Sequence, residues 1–283
     1  MARINSLNIL LSTEGKDYLA EKYGAVIENV MKRCISQQLK NNQLSGTPGA
    51  GSYEAKRFEN KSSQAYGTAR SAAHGQYTTA TPVVIQVNQD KEIVSEIENK
   101  DVMLYGVDGL VDREAASAQK SMVRELERAF FYEAADEGQE FTTAASGINN
   151  IIEALIQAVE TTKNDFVDGV ERDMIAVICA PATYGSLRTY FDAVSHDGNS
   201  ESFGTFHGVK VYSSVYLPNG VDAIAMCEGA VAQPVLINKY GAERIPLSNA
   251  IALDLFYSFG TKAVAADLIQ VYGSITTTTT TGA

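Results

Sequence analysis

Apolar positions recur at three- and four-residue spacing over residues 14–40, where Tyr18, Leu19, Ala25, Val26, Val30, Cys34, Ile35 and Leu39 trace one face of a helix. Ser12 or Thr13 stands where an N-cap belongs, and Gly24 weakens the middle enough that two shorter helices also fit. The pattern then stops. From Ser45 through Pro82 there is no Val, Ile, Leu or Met; Gly, Ser, Ala and Thr dominate, punctuated by Tyr53, Phe58, Tyr66 and Tyr77. Such a stretch buries too little apolar area to form a core of its own. A segment of this length inside a compact domain is usually a linker, a lid or an arm. Lone aromatics on a small-residue background favour an arm whose anchors dock on another surface.

Alternation resumes at Val83, Ile85 and Val87, the mark of a half-buried strand, and a second strand fits Ile93–Ile97. The clearest helix runs 109–137, with Asp108 as its cap and Gly138 as its stop. Val111, Ala115, Ala118, Met122, Leu126, Ala129 and Tyr132 or Glu133 form a narrow, Ala-rich apolar stripe. At the usual rise this helix spans about 43 Å, and so thin a stripe suits a rod lying across a sheet or between partners. Residues 148–163 form a second amphipathic helix, and 174–180 read as a strand buried on both faces. Pro181 opens a further helix to about Phe191. Strands are expected at 206–216, 223–226, 235–239, 251–258 and 262–272, with a turn at Leu217–Gly220. The helix–strand order of 148–226 describes a small α/β lobe, and the last strands return to a separate sheet; overall the class is α+β.

Composition narrows the function. The chain has 283 residues, 45% hydrophobic and 20% charged, which is the composition of a folded protein. No apolar run approaches the roughly 18 residues of a membrane span, and Ser12, Glu14, Lys16 and Asp17 break the short apolar stretch near the N-terminus, so no signal peptide is read there. Three scattered cysteines, Cys34, Cys179 and Cys227, argue against a disulfide scaffold and against a zinc module. The net charge of −11 makes a general nucleic-acid-binding surface unexpected. That charge is unevenly spread: residues 1–80 carry 10 basic and 6 acidic side chains, a net of +4, and residues 81–283 carry 13 and 28, a net of −15. A basic front on an acidic body fits contact with an acidic surface, and a second copy of the chain supplies one. A chance spread of solvated charge gives the same count.

Candidate chemistry is sparse. His74, His196 and His207 show no metal-ligand spacing, so no metal or cofactor site is assigned. Ser195-His196-Asp197 has triad residue types, but neighbours in sequence cannot form a hydrogen-bonded relay. The glycine-rich Gly46–Gly51 has no preceding strand and no Lys-Ser/Thr to close a phosphate loop. No catalytic residue is assigned, and no enzymatic function is expected.

The order of pieces (helical arm, long small-residue loop, strand pair, long helix, α/β lobe, returning strands) resembles a tailed-phage major capsid protein of the Hong Kong 97 type. VICAPATYGSLRTYF resembles the family's strand, Pro-x-Thr and Leu-Arg helix; FHGVKVYSSVYLPNG is similar to its Gly-x-x-Val strand and Leu-Pro turn. GAVAQPVLINKYGAERIPLS and the strands to VYGS fit the family's return to the peripheral sheet. The resemblance implies a Hong Kong 97-like capsid fold with an N-arm at 1–45 and an E-loop at 46–82. The peripheral domain would take 83–147 with spine helix 109–137, the axial domain 148–235, the peripheral return 236–275 and a tail 276–283. It implies pentamers and hexamers in an icosahedral virion shell, made in the bacterial host cytoplasm, enclosing DNA without specific binding. Portal and scaffolding proteins are implied as partners; the short N-terminal arm leads us to expect a separate scaffolding protein. An encapsulin-type bacterial shell and, more remotely, a soluble α/β enzyme are the alternatives. Expected inter-subunit contacts are Lys56, Arg57, Lys61, Arg70, Tyr53, Phe58 and Tyr66, the cations pairing with carboxylates of a neighbour. Some relatives cross-link through a lysine and an asparagine; Lys56 and Lys61 lie in the corresponding loop, but with no partner asparagine identified no cross-link is assigned.

Overall fold

In the computed structural model, which describes residues 7–45, 51–62, 77–194 and 204–276, a 3-10 turn at Leu7–Leu11 leads into helix α1 (Thr13–Arg33) and the short α2 (Ile35–Leu39). Strands β1 (Ser52–Phe58), β2 (Ala80–Gln86) and β3 (Gln89–Glu98) follow, then the long helix α3 (Asn99–Glu137) and β4 (Gln139–Phe141). Helix α4 (Ile148–Glu160), β5 (Ile175–Cys179) and α5 (Pro181–Val194) begin the lobe. It continues through β6 (Thr205–Phe206), β7 (Val209–Ser213), β8 (Val221–Cys227) and β9 (Val231–Ala232). The described chain closes with β10 (Val235–Arg244), β11 (Ala250–Phe259), β12 (Lys262–Ala263) and β13 (Ile269–Gly273).

The chain divides into two compact units. The first comprises residues up to Gln38, Gln86–Phe130 and Gln233–Thr261. Its sheet has the order β10-β11-β3, antiparallel throughout, with a register shift between Ile237 and Lys239. Alternation along β11 sends Ile251, Leu253, Leu255, Tyr257 and Phe259 into a core shared with Leu19, Val26 and Val30 of α1 and Val111, Ala115, Ala118, Met122 and Leu126 of α3. Ser12 is the cap of α1: its Oγ accepts from the Gly15 N–H at 3.2 Å and donates to the Ile9 carbonyl at 2.6 Å. The preceding turn folds back so tightly that a Cβ on Gly15 would lie 2.0 Å from the Ile9 oxygen.

The break in the N-terminal helical segment falls at Cys34, whose ψ of 122° is extended, and not at Gly24. Residues Asn99–Glu137 (α3) hold two helices that meet at a kink, so the long one starts just after Gly106, close to the expected start at 109, with a short helix before it. The interruption is Gly106, with φ 74° and ψ 162°, a conformation open to glycine but strained for other residues. Beyond it Val107 is already buried, which extends the core-facing stripe one turn earlier than Val111. At the other end the stripe passes through Phe130, Phe131 and Ala134, all fully buried, while Tyr132 is half exposed. Helix α3 stops where expected: Gly138 donates to the Ala134 carbonyl, and a Cβ there would meet Val271 and Ile269 side chains under 3.0 Å.

The second unit comprises Leu39–Ile85, Phe131–Ala232 and the residues from Lys262 onward. Its mixed six-stranded sheet has the order β4-β13-β8-β5-β7-β6. Strand β5 is fully buried, as its unbroken apolar run requires, and lies parallel to β7 and antiparallel to β8. Ile152, Leu155, Ile156 and Val159 of α4 and Leu187 of α5 pack against Ile175, Val177, Val209, Val211 and Ala225. The β6–β7 turn consists of His207 and Gly208, with φ 47° and 87°, the two positive values a tight type I′ hairpin needs. The expected single strand at 262–272 is two pieces, β12 and β13, separated by a 3-10 turn at Ala266–Leu268. Strand β13, expected with the peripheral return, is hydrogen-bonded between β4 and β8 in the lobe sheet.

Candidate assembly surface

Strand β1, inside the segment that lacks large aliphatic residues, pairs with β2 at its far end as a two-stranded sheet. Alternation gives it two unlike faces. The inward face carries Ala55 and Ile85, which form a small cluster with Ala232 against Leu44, Tyr53 and Val264. Tyr53 therefore packs within its own unit. The outward face carries Glu54, half-buried, Lys56, exposed, and two open apolar side chains, Phe58, 56% exposed, and Val84, 57% exposed.

Arg57 points the other way. Its guanidinium makes a bidentate pair with Asp267, at 2.5 and 2.7 Å, and lies 4.5 Å from the centroid of the Phe166 ring. Asn164 Nδ2 donates to the same carboxylate, and the Asn60 N–H donates to the Asp165 carbonyl at 2.8 Å. Burial pushes the Asp267 carboxyl up, but hydrogen bonds from Arg57 and Asn164 and the guanidinium charge outweigh it and hold the group below the ordinary carboxylate value. These contacts clamp the base of the hairpin in its own subunit. Lys61 donates to Thr78 Oγ1 at 2.9 Å on the facing segment. Tyr66 and Arg70 lie outside the described residues.

A second surface, missed in reading the sequence, lies on the three-stranded sheet of the first unit. Even-numbered side chains of β3 face away from the core: Asp90, Glu92, Val94, Glu96 and Glu98, all exposed. In register beside them stand Asp254 of β11 and Lys239, Gly241 and Glu243 of β10, so six carboxylates share this face with one lysine. Asp254 is only 5% exposed. Its Oδ2 takes Lys239 Nζ at 2.9 Å, while its buried Oδ1 has no hydrogen-bond partner. The pairs with Glu243 and Asp254 raise the Lys239 pKa. Gly241, paired with Asp254 in register, approaches it closely: a Cβ there would sit a tight 3.2 Å from that oxygen. The alternation Asp90-x-Glu92-x-Val94-x-Glu96-x-Glu98 was the available signal for an acidic strand face.

Among the described residues no group of three or more His, Cys, Asp or Glu could hold a metal ion. His207 Nδ1 lies 2.9 Å from Glu153, which also takes Arg172; His74, His196 and the rest of Ser195–Asp197 lie outside the described residues. Among the described residues no helix is long and apolar enough to cross a membrane.

No protein-family model and no curated protein matches the sequence. Solved structures do match. A chain of Mycobacterium phage Che8 superposes with a TM-score of 0.59 at 16% identity, covering 78% of this chain and 84% of that one. The capsid of cyanophage P-SCSP1u matches with a TM-score of 0.62 at 13% identity, over 86% and 89% of the two chains. A virus-like particle from Pyrococcus furiosus matches with a TM-score of 0.58 at 12% identity, over 90% and 99%. The fold is thus that of shell-forming capsid proteins. It is a mixed helix-and-sheet fold shared with phage capsid structures and carried by a distantly related sequence.

Proposed function

We propose that the chain is the major capsid protein of a tailed bacteriophage, assembling through pentamers and hexamers into an icosahedral head that encloses double-stranded DNA. The observation that carries this reading is the likeness in fold to phage capsid chains across more than three quarters of both partners. On this reading the β1–β2 hairpin belongs to an E-loop that reaches a neighbouring subunit and α3 is the spine helix. The six-stranded sheet with α4 and α5 forms the core of the axial domain. Lys56 and Phe58 make inter-subunit contacts, joined by Lys61, Tyr66 and Arg70, while Arg57 and Tyr53 hold the hairpin to its own subunit. An acidic chain suits this work, because a wall lined with lysine and arginine would grip the phosphate backbone it must later release. Portal and scaffolding proteins are the further partners, and the virion, after synthesis in the host cytoplasm, is the destination.

Electron microscopy and sedimentation of the expressed protein test the reading. Closed or polymorphic shells support it; a discrete monomer or dimer at all salt concentrations and protein levels overturns it. The contents of particles purified from the host discriminate further, since packaged DNA fits a phage head and a protein cargo fits a bacterial compartment.

A further inference from the structure

We propose that the outer face of α3 lies against the phosphate backbone of the duplex DNA that the shell encloses; this rests on the shell-forming function proposed above. Opposite the buried Val111, Ala115, Ala118, Met122 and Leu126, the helix exposes Arg113, Ser117, Lys120, Arg124 and Arg128. At 3.6 residues per turn these five fall within about 80° of arc, and at 1.5 Å per residue the four cations run about 22 Å along the axis. No carboxylate falls inside that arc. On its flanks Asp112 is turned to Lys22 at 2.7 Å, and Glu127 is buried and accepts the Ile35 N–H at 2.8 Å. Arg113, Lys120 and Arg128 make no ion pair or hydrogen bond among the described residues, and Arg124 meets Glu125, 3.4 Å from its Nε.

Residues 81–283 hold 13 cations against 28 carboxylates, yet four of those cations share this one stripe, so it is no sample of the surface around it. Its composition selects the partner. A protein-binding face is centred on aromatic or other large anchors in desolvated pockets. Beside these cations stand Ala116, Ser117 and Ser121, small side chains that let a smooth backbone come close. Duplex DNA carries one negative charge per about 1.7 Å of its axis, so cations spread over about 22 Å each find a phosphate whatever the base sequence. Three of the four are arginines, whose planar fork can donate to two phosphate oxygens at once. The net charge of −11 repels the same polyanion, which keeps the contact local and weak. The stripe thus touches the duplex while the wall as a whole lets it go.

The test titrates a fluorescent duplex of mixed sequence with dissociated subunits of the full chain, between about 50 and 200 mM salt. Four phosphate contacts make log K fall against log salt with a slope of about −3.6, a loss of about 150-fold over that range. Lys120→Gln with Arg124→Gln halves the slope and cuts the loss to about 12-fold. Lys16→Gln with Arg244→Gln, at exposed cations on α1 and β10, leaves it unchanged. Glutamine suits a helix nearly as well as lysine or arginine, so circular dichroism and thermal melting of the α3 variant stay as in the parent. Equal slopes in parent and α3 variant, or no binding by the parent at low salt, overturn the DNA contact and leave the shell function standing. Loss of shells in the α3 variant with an unchanged slope also overturns it, in favour of an acidic protein face as the partner. If parent subunits bind the duplex through the stripe but form no shells, the phosphate contact stands and the shell function falls.

Discussion

Replacing Asp267 by Asn removes one charge from the clamp without opening a cavity, and its cost follows from the geometry. The Arg57 and Asp267 side chains are 18% and 22% exposed, between the regimes of surface and buried pairs. Exposed pairs contribute about 0–1 kcal/mol and breaking a fully buried one costs about 3–5 kcal/mol. With a fifth of each side chain in solvent, screening keeps the loss near the middle, about 2 kcal/mol. The stacking of the guanidinium on Phe166 survives the change and retains about 0.5–1 kcal/mol of the anchoring. A loss of about 2 kcal/mol lowers the melting temperature of dissociated subunits by about 4–8 °C. A double-mutant cycle with Arg57→Met isolates the pair, with an expected coupling of about 1–2 kcal/mol. Hydrogen exchange then locates the effect, with faster exchange confined to amides of 52–62. Acid reports the same contact: the Asp267 pKa is depressed in the folded chain, so its contribution is present above the ordinary carboxylate pKa and disappears as pH falls through the folded value. Amides of the hairpin base therefore lose protection in acid in the parent, and no further in Asp267→Asn. A coupling energy under about 0.5 kcal/mol, or acid deprotection equal in parent and variant, refutes the clamp.

Three further outcomes are expected. Gly15→Ala forces a Cβ against the Ile9 carbonyl and Leu10 Cα, backbone atoms with nowhere to go, and destabilises the subunit by about 1–3 kcal/mol in urea unfolding; an unchanged midpoint would show that the N-terminal turn is not packed on α1. Met122→Ala empties a fully buried position of the α3 stripe and costs about 2–5 kcal/mol by the same measurement, while Tyr132→Ala on the exposed side costs far less. Burial pushes the Cys179 thiol up to about 12, so maleimide at pH 8 labels it slowly in the native chain and quickly in guanidinium; equal rates in both would place β5 at the surface.

What reads clearly from sequence is whatever a local pattern decides. Helix α4 shows itself through Ile148, Ile152, Leu155, Ile156 and Val159, and α5 through Pro181 placed directly after an apolar run. The need of β1 for outside support likewise shows in the absence of Val, Ile, Leu and Met from Ser45 to Pro82. Long-range pairing is not written locally. Nothing within its own stretch marks a partner for Arg57, because that partner lies 210 residues away, in a 3-10 turn inside a segment whose pattern predicts continuous strand. The short helix before Gly106 is not marked by the sequence pattern, because Asn99–Tyr105 spans only about two turns, too few for an apolar stripe to repeat. Strand β3 was found, but its acidic face acquires meaning only from the register that sets Asp254 and Gly241 beside it, a property of three strands far apart in the chain.

The strand orders also set a timetable for synthesis. Strand β11 is the middle strand of its sheet and β13 sits inside the other, so both sheets wait for the C-terminal part of the chain to leave the ribosome. Until then β3 is a bare edge, and its row of carboxylates disfavours pairing with another copy of itself. A chain broken off before Ile269 lacks the strand that joins β4 to β8. Such a truncated chain leaves β4 and β8 without the strand that bonds to both, and half of the six-stranded sheet has nothing to close on.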